Sequence, residues 1–325
     1  MQLGLEGMPT RLFTCTPSKL TTWLDCPRRY RMTYVDRPPP QRGPAWAHNT
    51  VGATAHLALA RWWDLPEERR TGAAARALLE GAWQTDGFAS DEQAYRWRGH
   101  AGDMVERYAD GMDPTDEPVG VERTVAFKTE TLAVSGRVDR IDRRGNEVVI
   151  VDYKTGRSAL TQDDARGSLA LALYSLAAAR TLRTSCTKVE LHHLPSGKVL
   201  AWEHTPETLE RHVGRAERIA AEVATALAAP EDQDAFPVRT SAVCGWCDFV
   251  RVCPEGMAAS GGPKKPWAGL AEERPLEEPE ALQLPQLGGQ RRQPDDHPAV
   301  AAEARQPEGF ECEAEGADHG ERRRP

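Results

Sequence analysis

The chain has 325 residues, of which 40% are hydrophobic and 28% charged; 41 basic against 49 acidic side chains leave a net charge of −8. That is enough apolar material for a core and excludes a collagenous or wholly disordered chain. No run approaches the roughly 18 apolar residues of a membrane span. The N-terminal MQLGLEGMPTRLF lacks the charged-then-apolar order of a secretion signal, so a cytoplasmic setting is expected. The acidic balance argues against a broad surface for coating nucleic acid but leaves room for a local basic channel.

In chain order, residues 1–12 read as a flexible N-terminus and residues 13–257 as one folded domain. Thr16-Pro17-Ser18 marks a helix start, and that helix is expected to carry Leu20, Trp23, Leu24, Tyr30 and Tyr34 up to the break at Pro38-Pro39-Pro40. Further helices are expected over 50–63, 73–83 and 95–108 from apolar residues at helical spacing. The period then changes. Three strands are expected over 119–127, 131–143 and 147–155, the last two joined at Arg144-Gly145-Asn146. A helix follows over 163–180, then a hairpin around Pro195-Ser196-Gly197, then a helix opened by Pro206. This order predicts an α/β or α+β fold with a mixed sheet. Residues 258–325, rich in Pro, Glu and Arg, read as a disordered tail containing Cys312.

Two constellations carry chemistry. Alternation along a strand puts Asp152 and Lys154 on one face, and Asp139 on the neighbouring strand can share it. Two carboxylates with water and phosphate oxygens suit Mg²⁺, and a lysine beside them can act on a metal-bound water or on developing negative charge. The second constellation is Cys244-x2-Cys247-x5-Cys253-Pro254, three thiolates in need of a fourth. Cys26 is the first candidate and Cys15 the second, whereas Cys186 reads as a buried strand-edge thiol. Zinc and an iron–sulfur cluster both suit such ligands. His56 lies in a helical segment without a partner evident from sequence, as do His48, His192, His193 and His204 in theirs.

These features together resemble the RecB-family nucleases of the PD-(D/E)XK superfamily, in the sub-type with a four-cysteine iron–sulfur cluster shared by AddB-type repair nucleases and certain CRISPR-associated nucleases. The resemblance covers about Thr16 to Pro254. It rests on Ser18 through Cys26-Pro27-Arg28-Arg29-Tyr30, Gly52-x3-His56, Gly136-x2-Asp139-Arg140-Ile141-Asp142, Asp152-Tyr153-Lys154-Thr155-Gly156 and the C-terminal cysteines. It departs at the family's Q-x-x-x-Y helix, where Tyr174 is present but Ala170 replaces the glutamine.

The resemblance implies a restriction-endonuclease-like core flanked by helices and preceded by a helical segment. It implies a Mg²⁺- or Mn²⁺-dependent deoxyribonuclease, an exonuclease acting in repair or recombination. His56, Asp139, Asp152 and the Tyr153 carbonyl would hold the metal, and Lys154 and Tyr174 would serve catalysis. Cys26, Cys244, Cys247 and Cys253 would hold a 4Fe–4S cluster. The expected partner is DNA, single-stranded or at duplex ends. No G-x-x-x-x-G-K-S/T loop is present, so any unwinding would come from a separate helicase. Ala170 supports an alternative: a catalytically weakened subunit that binds DNA ends beside such a helicase.

Overall fold

The computed structural model describes residues 12–271. Contacts divide the chain into Met1–Gly288 and Gly289–Pro325, and the second unit lies outside the described residues, as do the expected flexible start up to residue 11 and the tail beyond 271.

A short strand, β1 (Phe13–Cys15), leads into α1 (Pro17–Asp25), whose first turn is capped by the Thr16 side chain accepting from the Lys19 N–H. The expected single helix does not run on to Tyr34. Pro27 disfavours helical backbone at Cys26, which is extended (φ −165°, ψ 113°) and separates α1 from α2 (Pro27–Tyr34). Next come α3 (Ala47–Trp63), α4 (Gly72–Gly81) and α5 (Asp91–Asp110). Strands β2 (Gly120–Lys128), β3 (Leu132–Arg144) and β4 (Glu147–Lys154) follow as expected. The expected helix over 163–180 is divided at Ser168 into α6 (Gln162–Gly167) and α7 (Leu169–Leu182); Ser168 is non-helical and its hydroxyl caps α7 at the Leu171 N–H. Strands β5 (Ser185–His193) and β6 (Lys198–Glu203) precede α8 (Pro206–Leu227) and α9 (Pro254–Ser260).

Six strands form one mixed sheet in the order β1-β3-β4-β5-β6, with β2 also paired to β3. Strand β3 pairs with both β1 and β2 at 133–134, and with both β2 and β4 at 140–141. Strands β1 and β4 therefore share one edge of β3. Between them, β3 residues 135–139 have no strand on that edge among the described residues. Beyond Val151, β4 leaves β3 and stays paired only with β5, through Lys154↔His193. The sheet splits where the sequence places its charged motif.

Alternation along β4 explains the layers. Val151 and Tyr153 pack with α3, α4 and α5, whereas Val148 and Ile150 pack with Leu171, Ala177 and Ala178 of α7. A third cluster joins β1, α1, α2 and α8 around Trp23 and Phe236. The folded chain also passes the expected limit at 257. The Ala47 N–H donates to the Pro266 carbonyl at 3.1 Å, Trp97 Nε1 donates to the Leu270 carbonyl at 3.1 Å, and Leu270 is buried. Residues 258–271 read as tail from their Pro and Gly content, yet aromatic and backbone contacts hold them. Among the described residues, no helix is long and apolar enough to cross a membrane.

Candidate active site

Where β3 and β4 part, the Asp139 side chain bridges them: its Oδ2 accepts from the Tyr153 N–H at 2.8 Å. Its other oxygen lies 3.4 Å from His56 Nδ1. Helix α3 can bring His56 there because Gly52, one turn earlier, lacks a side chain; a Cβ at 52 would lie 3.1 Å from Thr155 Oγ1. The two separated motifs, Gly52-x3-His56 and Asp152-Tyr153-Lys154-Thr155-Gly156, are thus two sides of one contact. The His56 ring also stands edge-on to Tyr153, with centroids 5.7 Å apart.

Asp152 and Lys154 share the opposite face of β4 as alternation requires, with Lys154 Nζ 2.5 Å from Asp152 Oδ2. That oxygen is buried and receives no hydrogen bond of good geometry. Burial pushes the Asp152 pKa up, with the Lys154 charge opposing and Asp139 reinforcing. Burial alone would depress His56, but the hydrogen bond and charge of Asp139, with Asp152 and Glu122, outweigh it and the net shift is upward. Tyr174 lies across β3 at Gly136, and burial and the two aspartates raise its pKa. A cleft of about 880 Å³ takes in His56, Glu122, Asp139, Lys154 and Tyr174.

Among the described residues, the three side chains whose ligand atoms meet within 4.8 Å are His56, Asp139 and Glu122, the last not singled out by sequence. Asp152 stands beside this group, on Lys154. One imidazole with two carboxylates fits a divalent cation of the Mg²⁺ or Mn²⁺ kind.

Beneath the site the same motifs do structural work. Arg140 donates to Asp142 Oδ2 at 2.9 Å and to the Tyr153 hydroxyl at 3.3 Å, entirely within the core. Arg144 binds both oxygens of buried Glu190, at 2.6 and 2.9 Å. Burial lowers the His192 pKa against the pull of Glu190; its Nε2 lies 3.0 Å from a Glu190 oxygen and its Nδ1 lies 2.6 Å from the Tyr108 hydroxyl. His193 bonds the Gly156 carbonyl at 2.7 Å and so pins the loop after Lys154.

Cys26, Cys244, Cys247 and Cys253 line a common cavity of about 170 Å³. Backbone N–H groups of Arg239, Ser241 and Gly256 point at the sulfurs of Cys26, Cys244 and Cys253 at 3.3–3.5 Å. Cys15 is not among the lining residues: it is buried in β1, where burial pushes its thiol up to about 11. Cys186 is likewise buried, on β5.

A six-stranded mixed sheet with helices on its faces, split over an aspartate pair and a lysine, defines a restriction-endonuclease-like α/β fold. The sequence profile of the PD-(D/E)XK nuclease superfamily matches residues 14–254, and the chain belongs to that superfamily. Among solved structures it is similar to one titled "Crystal structure of SSO0001", at 15% identity, covering 77% of this chain and 90% of that one, with a TM-score of 0.34. No curated protein sequence matches the chain.

Proposed function

We propose that the protein is a Mg²⁺- or Mn²⁺-dependent deoxyribonuclease that hydrolyses phosphodiester bonds at DNA ends, as an exonuclease of RecB type in repair or recombination. The observation that carries this reading is the Asp139–Tyr153 bridge at the split of β3 and β4, which sets His56 and Asp139 on one cleft with Lys154, itself paired to Asp152. His56, Asp139 and Asp152, with the Tyr153 carbonyl, would hold the cation, which would supply Lewis-acid polarisation of a phosphate oxygen and a more acidic water. Lys154 orients that water or offsets charge developing on the phosphate, and Tyr174 lines the substrate side.

The four cysteines are assigned to a structural 4Fe–4S cluster. All four thiols line one cavity, three from a ten-residue stretch and Cys26 from the start of α2. Such a cluster ties α2 to the C-terminal part of the domain.

The test is cleavage of labelled linear and circular DNA, single-stranded and duplex, with Mg²⁺ or Mn²⁺, alongside metal analysis of the purified protein. Cleavage confined to linear substrates supports the exonuclease reading; inertness on every substrate with both metals removes it. Ala170 favours a second reading, the DNA-end-binding subunit beside a helicase. The nearest glutamine, Gln162, donates its amide to the Ala201 carbonyl at 3.2 Å and does not replace the missing side chain. Ala170→Gln should raise turnover or tighten DNA binding; unchanged or lower values mean that alanine is a settled feature of this site.

A further inference from the structure

Glu122 stands out in the strand that carries it. The ladder between β2 and β3 pairs Val121 with Arg140 and Arg123 with Val138, so the register places Glu122 opposite Asp139, yet that pair is missing. The reason is local. Glu122 has φ +47°, a left-handed conformation uncommon for any residue but glycine, and its backbone steps out of the ladder at this one place. A glutamate gains nothing intrinsic from that conformation. Here its carboxylate lies within 4.8 Å of both His56 and Asp139 and opens into the cleft. Its other contact is Arg137, whose Nε lies 2.6 Å from a Glu122 oxygen and whose side chain is 70% exposed. An exposed arginine holds a carboxylate weakly in water and can release it.

We propose that Glu122, turned out of β2 by its left-handed backbone, is an additional carboxylate ligand of the nuclease cation, and that Arg137 holds this ligand when no cation is bound. The inference rests on the metal-dependent reading above and deepens it. Adding Glu122 to His56, Asp139 and Asp152 puts three carboxylates around a dication, with Lys154 restoring balance. A purely structural glutamate makes a different prediction, since then the Arg137 pair would be its whole purpose.

The experiment measures Mn²⁺ affinity of the full chain by electron paramagnetic resonance titration, without DNA and without turnover. Glu122→Gln should weaken Mn²⁺ binding by about tenfold or more, the range typical for loss of a group that sets metal affinity. Glu122→Gly removes the carboxylate while suiting the left-handed backbone. It should weaken binding as much, with a melting temperature equal to or above that of the parent. Arg137→Gln frees Glu122 and should leave affinity unchanged or higher; a loss matching that of Glu122→Gln would mark the pair as structural and overturn the proposal. Asp139→Asn separates the two levels of the argument. If it weakens binding while both Glu122 variants stay within twofold of the parent, the inference fails and the nuclease site stands. If none of these variants changes Mn²⁺ binding, the metal site itself is wrong and the inference falls with it.

Discussion

A Cβ at position 136 would lie 2.5 Å from Cε1 of Tyr174. The glycine that opens the motif on β3 is therefore the floor on which the α7 tyrosine rests. Gly136→Ala should displace Tyr174 and destabilise the fold by about 1–3 kcal/mol, the usual range for overpacking. Adding Tyr174→Ala should recover much of that loss, because the three atoms nearest the added methyl all belong to Tyr174. Thermal unfolding of the two single variants and the double variant measures the coupling, and additive effects would refute the contact.

Asp152 and Lys154 face each other on β4 beside the Asp139 bridge. Asp152→Ala or Lys154→Ala should lower cleavage by roughly 10²–10⁴-fold, the range for losing a group that handles the attacking water. DNA binding should largely survive, since phosphate contacts elsewhere supply most of the affinity. Retained cleavage in both variants, from preparations free of host nuclease, would defeat the assignment.

Glu190 provides a pH-dependent reserve of stability. Burial acts to raise its pKa, but the hydrogen bond from His192 and the Arg144 charge and hydrogen bonds outweigh it and hold the value at about 2 against the ordinary 4.5. A depressed carboxyl stabilises the fold fully above pH 4.5, and the contribution, about 3 kcal/mol, is lost as pH falls through 2. Glu190→Gln should destabilise at neutral pH by roughly 3–5 kcal/mol, because Arg144 loses its two short contacts to a carboxylate and keeps only Asp142, 3.6 Å away. It should also flatten the acid limb of the stability curve measured between pH 2 and 5. An unchanged acid limb would show that other carboxyls dominate.

The cysteines divide by location. Cys26→Ala should bleach visible absorption and lower the melting temperature, since Cys26 shares its cavity with Cys244, Cys247 and Cys253. Cys15→Ala should keep full colour, because Cys15 is packed in the core beside Leu20 and Val134. The reverse pattern, or purification with zinc in place of iron, would overturn the cluster.

Much of this architecture was legible in the chain. Strands β2 to β6 follow from alternation, and Asp152 and Lys154 face one way because a strand leaves no choice. The break at Cys26 was written in Pro27, although the apolar spacing on either side reads as one continuous helix. Strand β1 is too short to show a period. Glu122 escaped notice because an acid in a strand is unremarkable by composition; only the φ of +47° sets it apart. The net charge says little about the cleft. Most of the acidic excess lies beyond residue 271, so it describes the tail rather than the cleft.

The gap on the edge of β3 has a further consequence for which changes the chain can absorb. Residues 135–139 act as a spacer of fixed length between two independent registrations, with β1 at one end and β4 at the other, while β2 runs along the opposite side and leaves the ladder at Glu122 alone. Removing one residue from the spacer would leave β2 unable to match both ends at once, and every side chain beyond the deletion would change face. Substitution within this stretch is constrained at Gly136 by Tyr174, at Val138 by the core and at Asp139 by the Tyr153 N–H. Insertion or deletion is constrained throughout, which makes these five positions the least elastic part of the sheet despite lying at its most open point.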